Sequence, residues 1–534
     1  MKKRTERRSK FPGLTLVIGS ERDAAMRPSR VVPRDCFQTR PYSVGASLFA
    51  SRAVAVLPAG RLRPSRVVPR AENEKRVPVY LRKIHGDALF YELFRRDGMA
   101  MNHLIWGGCD TVDLAGRYGT PLYVMDETML RDRCRRLSAA VAGRNARVCY
   151  AGKAFLNVAM ARLVDEEGLC LDTVSPGEFR IACAAGFPME RVTLHGNAKT
   201  EAFLAAGLER GVGTVAVDSE DELALLARLC AKRGARQKIL LRLSPGIEAH
   251  THRSIQTAQK DCKFGVPLAH LECAVRFALG ATGLDLAGLH VHVGSQIRDV
   301  GTYLQAADRM TEIMRSLRET TGFAARELDL GGGFAIPERP GAAGAPAERF
   351  VAAILDRVDA RCAELGLARP EVAFEPGRWI AGEAGITLYT VQGVKEIPGV
   401  RTYVAVDGGM TDNPRPQLYQ AEYGVRLAND TERPANRRAA IAGPCCETGD
   451  VLTLDTPVPE LRRGDVLAVP LTGAYNYSMF STYNCALRPA VIFARDGQAR
   501  VAVRRQTLDE LLNGQTDWAE NPRRRAADGP GKTV

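Results

Sequence analysis

Between Arg147 and Phe374, eight short β-rich runs alternate with amphipathic helical stretches, and no other feature limits the fold of this chain as tightly. The runs are Arg147–Ala151, Leu169–Thr173, Arg191–His195, Thr214–Asp218, Lys238–Leu243, Gly288–Val293, Glu327–Leu330 and Glu371–Phe374. Helical periodicity is clearest over Glu220–Arg233, Leu268–Leu279, Thr302–Thr320 and Ala347–Leu365. Short runs ended by Gly, Pro, Asn or Ser read as strands, and apolar residues at three- and four-residue spacing read as helices. Eight strand–helix units in succession predict a (β/α)8 barrel. Buried parallel strands should be nearly continuous apolar runs, as KILLRL (238–243) and GLHVHV (288–293) approximately are.

The rhythm changes after residue 395. Arg401–Val406, Arg438–Ala442, Asp465–Val469, Ala490–Ala494 and Ala499–Val503 follow one another with Gly, Pro and Asn turns, which predicts a mainly β second domain. TPLYVMDE (120–127), ahead of the barrel, is expected to join it. The expected division is a leader over 1–98, a joining segment over 99–128, the barrel over 129–395, the β domain over 396–512 and a tail over 513–534.

Charge separates the leader from the body. The chain carries a net +13, but residues 1–76 hold 18 Lys/Arg against 6 Asp/Glu, or +12, which leaves about +1 for the rest. A nucleic-acid-binding body is therefore not expected. The leader repeats RPSRVVPR at 27–34 and 63–70 and lacks the periodicity of a packed element, so disorder is expected there. Its Arg and Ser content also suits an organelle transit peptide. A start assigned too far upstream, with Met99 or Met101 the true one, is the reading preferred here. No window of eighteen uninterrupted apolar residues argues for a transmembrane helix. Thirteen scattered cysteines, with no CxxC pair and no zinc-type Cys/His spacing, predict free thiols in a reducing cytoplasm and no metal.

In a barrel the residues just after each strand converge on one face, where active sites form. Here they are YAGK (150–153), HGNAK (195–199), HVGSQ (292–296), LGGG (330–333) and EPGR (375–378). Lys153 follows apolar VCYAG, where desolvation would lower its pKa and leave a nucleophilic amine, although most lysines are solvated surface groups. Gly331, Gly332 and Gly333 form either a tight turn or a phosphate cradle of backbone N–H groups at a helix start. Glu375 is either an ion-pair partner of Arg378 or a carboxylate that keeps a pyridine nitrogen protonated. His292 is a core histidine or a ring stacked on a flat cofactor, with Ser295 donating to its phosphate. Together the set describes a pyridoxal-phosphate (PLP) site.

YAGKA, HGNAK, HVGSQI, LDLGGGF and EPGR resemble the fold-type III PLP-dependent decarboxylases, which act on diaminopimelate, ornithine, lysine or arginine and share a fold with alanine racemase. The resemblance spans residues 103–512. GGCDTVDLAGRYGTPLYVMDE (107–127), SPGIEAHTH (244–252), CKFG (262–265), VDGGMTDNPRPQLY (406–419), GPCCETGD (443–450) and GAYNYSM (473–479) narrow it to the diaminopimelate decarboxylase family. That resemblance implies conversion of meso-2,6-diaminopimelate to L-lysine and CO2, the last step of lysine biosynthesis. It implies that PLP is held by Lys153, His292, Ser295, Gly331, Gly332, Gly333, Glu375, Pro376, Gly377, Arg378 and Tyr475, with Lys153 bonding the cofactor. Arg378, Arg415, Tyr419, Glu447 and Tyr475 would contact the substrate, with Cys446 as proton donor and Lys153, His292 and Cys446 as the catalytic set. A homodimer with shared sites is implied, Lys153 coming from one chain and Cys446–Glu447 from the other. Two departures from the family pattern, Thr448 in CET and YNCALRPA (483–490), touch none of these roles.

Charge supports that substrate over its rivals. Once one end of diaminopimelate is held, the other still presents a carboxylate and an ammonium. Arg378 and Arg415 suit the carboxylate and Glu447 the ammonium. An ornithine or lysine site would need only acids there, and a buried Arg415 without an anionic partner would be costly. A racemase tends to place Arg at the pyridine nitrogen, where this chain has Glu375. A PLP-binding regulator would tend to lack the lysine or the cysteine.

Overall fold

The computed structural model describes residues 102–246, 262–338 and 342–516, all within the contact unit Val77–Val534. The leader, with its repeated octamer, the expected tail beyond 516 and most of SPGIEAHTH lie outside these residues.

Eight parallel strands close a barrel in chain order: Ala146–Ala151, Cys170–Thr173, Val192–Leu194, Thr214–Val217, Gln237–Leu243, Leu284–Val291, Glu327–Asp329 and Glu371–Phe374. The eighth pairs with the first through Val372↔Ala146 and Phe374↔Val148. Every expected run contributes one strand, so the fold class is a (β/α)8 barrel with a mainly β region after it.

The helix Glu220–Arg233 shows why the intervening stretches coil. The Ser219 hydroxyl accepts the Glu222 N–H, acids fill the first turn and Lys232 and Arg233 the last, and Gly234 ends it with φ +62°. Its buried stripe of Leu223, Leu226 and Leu229 faces the barrel, each leucine contributing roughly 1.5–3 kcal/mol. In the sixth strand Gly288 is required by space: a Cβ there would lie 1.8 Å from the Glu327 carbonyl oxygen of the next strand.

A nine-stranded mixed sheet forms the second region. Its main path runs Val451–Val458, Arg437–Ala442, Arg401–Val406, Gly385–Ile397, Leu122–Asp126, Ala490–Arg495 and Gln498–Val503. Leu122–Asp126 lies antiparallel to Gly385–Leu388 and parallel to Ala490–Ala494, which ties the segment before the barrel to the segment after it. Gly385–Ile397 pairs wholly in this sheet, so the sheet begins ahead of residue 396, where the sequence reading set the boundary. Alternation in LYVMD divides two cores. Tyr123 and Met125 pack with the barrel, and Leu122 and Val124 pack on the other face. Among the described residues eleven cysteines, Cys262 not counted, are free thiols. No helix among the described residues is long and apolar enough to cross a membrane.

Candidate active site

The carboxyl ends of the barrel strands open on a cavity of about 440 Å³. Lys153 sits at its edge on a single 3-10 turn, Gly152–Ala154, straight after the first strand. Its side chain is exposed to the cavity, so the apolar run ahead of it does not desolvate it as the sequence suggested. The Lys153 turn is tied to the β region: Tyr475 N–H donates to Ala154 O at 2.8 Å and Ser478 Oγ donates to the same oxygen at 3.2 Å. Tyr475 makes that bond from a left-handed backbone, φ +62°, a conformation that costs a non-glycine residue about 1 kcal/mol or more and concentrates at functional sites.

Glu375 lies on the cavity floor, 7% exposed. His195 Nε2 is 2.9 Å and His290 Nε2 3.2 Å from its Oε1, and Asp172 Oδ1 is 3.7 Å from His195 Nε2. Burial alone would raise the Glu375 carboxyl, but the His195 and His290 imidazoles hold it well below the usual carboxylate range. Burial opposes the charge on His195 too, yet the Glu375 and Asp172 carboxylates push it up to about 10. His290, with the same burial and weaker compensation, falls to about 4. Burial and the nearby Glu375 charge push Asp172 up to about 6. Burial and the Lys153 charge hold His292 well below its ordinary value, so its ring is neutral.

Close approach here does not amount to satisfied bonding. Glu375 Oε1, His195 Nε2, both ring nitrogens of His290 and both Asp172 oxygens are buried without a well-formed hydrogen bond. Buried polar groups are ordinarily paired. A protonated ring nitrogen entering the cavity would satisfy the Glu375 oxygen. The ligand atoms of His195, His290 and Glu375 also lie within 4.8 Å of one another, a spacing open to a metal ion. A metal would leave Lys153 and Ser295 without a role, whereas a flat cofactor with an aldehyde and a phosphate employs both. The residues present therefore fit PLP.

The opposite wall is cationic. Arg378 is 7% and Arg415 9% exposed, and among the described residues neither has a carboxylate partner within ion-pair distance. Arg378 donates only to Ser295 Oγ, from Nε at 3.2 Å and from a terminal nitrogen at 3.1 Å. Its guanidinium stacks 4.5 Å from the Tyr475 ring, and Arg415 lies 5.1 Å from the Tyr419 ring and 5.9 Å from that of Tyr475. Burial and the neighbouring Arg415 charge lower Arg378 to about 10, the mark of a positive site that lacks its anion. A second cavity, of about 490 Å³, continues outward and shares Arg378, Arg415 and Tyr419 with the first.

Lys153, His292, Ser295, Glu375, Arg378, Arg415, Tyr419 and Tyr475 all line the inner cavity. Gly331, Gly332 and Gly333 do not. They stand directly behind it, where a Cβ on Gly331 would lie 2.7 Å from His292 Nδ1 and one on Gly332 1.9 Å from Glu375 O. Nor do they open a helix: the described stretch 331–338 contains none, so the expected helix-start cradle is not formed. The Gly331 N–H is already bonded to Asp329 Oδ1 at 2.8 Å. Pro376 and Gly377 also stand outside the lining, Gly377 packing against Ala151 and Ala154. Cys446 and Glu447 are exposed on the turn between Arg437–Ala442 and Val451–Val458 and do not line this cavity. The adjacent Cys445 is half-buried, and burial together with Asp450 pushes its thiol up to about 11.

Sequence reasoning assigned no role to Asp172, His195, His290 or Arg242, which also line the cavity. The signal was an acid in the apolar run CLDT and two histidines at i and i+2 in GLHVHV, which alternation puts on one face.

Comparison with known proteins agrees with this geometry. Residues 127–382 match the family "Pyridoxal-dependent decarboxylase, pyridoxal binding domain". Diaminopimelate decarboxylase of Bacillus subtilis (strain 168) is 45% identical over 414 residues, 77% of this chain and 94% of that protein. The enzyme of that name from Mycobacterium tuberculosis (strain ATCC 25618 / H37Rv) is 44% identical over 418 residues, 76% of this chain and 93% of that protein. The crystal structure of diaminopimelate decarboxylase from M. jannaschii in co-complex with L-lysine superposes with a TM-score of 0.72 at 29% identity, covering 78% of this chain and 96% of that one. With a barrel site built for PLP and relatives matched over nearly their whole length, the chain belongs to the diaminopimelate decarboxylase family.

Proposed function

We propose that this chain decarboxylates meso-2,6-diaminopimelate to L-lysine and CO2 with PLP as cofactor. The observation that carries the choice of substrate is the pair of buried guanidiniums, Arg378 and Arg415, with no carboxylate partner among the described residues and in the same cavity as Lys153. Two unpaired buried cations are costly unless the ligand brings an anion. Ornithine and lysine, held through their α-amines, present only an ammonium at the distal end. Diaminopimelate presents a carboxylate there as well.

Bound PLP supplies an aldehyde for covalent attachment and a protonated ring that takes up the electron pair left when CO2 departs. Lys153, on the turn after the first strand, would hold the cofactor through its Nζ. Glu375, kept ionised by His195 and His290, would hold a proton on the cofactor's ring nitrogen. The neutral His292 ring would support the cofactor's flat face, and Ser295 would hold its phosphate with the loop of Gly331, Gly332 and Gly333 behind it. Pro376 and Gly377 set the backbone path from Glu375 to Arg378. Arg378 and Arg415 orient the distal carboxylate, with Tyr419 and Tyr475 packed against their faces. Glu447 takes the distal ammonium, and the Cys446 thiol returns a proton to the α-carbon.

Cys446 and Glu447 lie outside the cavity of their own chain, and this supports a homodimer in which each chain completes its partner's site. Placing the site between subunits would exclude water from the reaction. We place the activity in the cytoplasm, since eleven described cysteines, Cys262 not counted, are free thiols. The test is a substrate panel. Purified protein with PLP is given meso-diaminopimelate, ornithine or lysine, and CO2 is measured. Release from meso-diaminopimelate alone is the expected result. Preferential release from ornithine or lysine would refute the assignment.

A further inference from the structure

The turn that carries Cys446 and Glu447 is anchored by a buried acid that the reaction itself does not use. Asp450 closes the segment between Arg437–Ala442 and Val451–Val458 and is 3% exposed. Its Oδ2 accepts the Cys445 N–H at 2.8 Å and its Oδ1 accepts the Met410 N–H at 2.6 Å. Its main chain closes the turn, the N–H donating to Glu447 O at 3.0 Å and the carbonyl accepting from Gly443 N–H at 2.9 Å.

Two glycines make room for this carboxylate. A Cβ on Gly443 would lie 2.3 Å from Asp450 Oδ2, and one on Gly409 2.1 Å from Oδ1. Neither glycine has a positive φ, so the space, and not the backbone conformation, excludes a side chain. The second tether matters as much as the first. Met410 belongs to the turn Gly409–Asn413, closed by Asn413 N–H on Gly409 O at 2.7 Å, and that turn leads directly into Arg415 at the cavity. One carboxylate therefore joins the Cys446–Glu447 turn to the segment that delivers Arg415.

We infer that Asp450 is a positioning residue that sets the placement of Cys446, Glu447 and Arg415 together, an inference that rests on the roles proposed for those three. Two backbone N–H donors need two acceptor oxygens. Asparagine offers one oxygen and an NH2 group, so Asp450→Asn strands one donor and lets one of the two segments drift.

The test uses the PLP-loaded enzyme. Asp450→Asn and Gly443→Ala, the latter crowding the same seat while leaving the carboxylate's chemistry unchanged, are compared with wild type for kcat and KM on meso-diaminopimelate. Bound PLP is read by absorbance, and inhibition by L-lysine is measured as well. Both variants are expected to keep PLP, to lose about tenfold or more in kcat/KM and to bind L-lysine more weakly. Introduced into a Cys446→Ala, Glu447→Gln background, Asp450→Asn should cost clearly less than it costs in wild type, because only the share that passes through Arg415 is left. PLP-loaded variants with wild-type kinetics and only a lower melting temperature would overturn the inference, as would a full additive loss in the double background. Wild-type kinetics in Cys446→Ala and Glu447→Gln themselves would overturn the proposed roles and the inference with them. Impairment there with none in Asp450→Asn or Gly443→Ala would overturn the inference alone.

Discussion

At the scale of single residues, the site is a contest between burial and charge. Arg415 reaches the cavity through a stack on Tyr419, and its planar fork suits a carboxylate better than a lysine ammonium would. Arg415→Lys and Glu447→Gln should each keep PLP and lose about tenfold or more in kcat/KM on meso-diaminopimelate, the worth of one charge-assisted contact at roughly 1.5–3 kcal/mol. Steady-state kinetics decide it, and wild-type kcat/KM in both would sink the distal-end assignment. His195 supplies a second prediction. Its folded value of about 10 stands above its ordinary 6.5, so the stability it contributes is full below pH 6.5 and is lost as pH rises through 10. The loss runs at no more than about 1.4 kcal/mol per pH unit. In the cofactor-free protein, His195→Gln should flatten the fall in urea midpoint between about pH 7 and pH 9 relative to wild type. Equal slopes would show that the imidazolium is not held by Glu375. Lys153 was legible as a residue because it follows a strand. Its exposure was not, because an apolar run says nothing of the cavity its last residue opens onto.

At the scale of elements, all eight barrel strands could be read because strands buried on both faces become apolar runs bounded by turn residues. The β region was less legible. Gly385–Ile397 begins as the fully buried GITLY and ends exposed, so no single period marks it. Val451–Val458 is an edge strand with Pro457 and scattered exposure, and it was missed for that reason. The sixth barrel strand was read from Gly288, although it starts at Leu284, because Asp285 and Gly288 interrupt the apolar pattern. That glycine can be tested directly. Gly288→Ala drives a methyl into the Glu327 carbonyl of the neighbouring strand and should lower stability by about 1–3 kcal/mol. A lower urea midpoint is expected, and an unchanged one would mean that the two strands are not packed so closely.

At the scale of the whole molecule, the described residues give a cavity whose lining fits the cofactor and a pair of candidate residues, Cys446 and Glu447, that do not line it. Two-fold assembly would place one chain's turn at its partner's barrel. Mixing inactive Lys153→Ala chains with inactive Cys446→Ala chains should then restore activity, since one site of each mixed dimer is intact. No recovery, with subunit exchange demonstrated and both variants folded, would contradict shared sites. All the chemistry assigned to the cavity passes through one amine, and the most direct measurement concerns it. Borohydride reduction of the PLP-loaded protein fixes the cofactor irreversibly to the lysine that holds it, and peptide mapping then locates the label. The label should fall on Lys153 in the peptide containing YAGKA; a label on any other lysine, or none at all, would contradict the site.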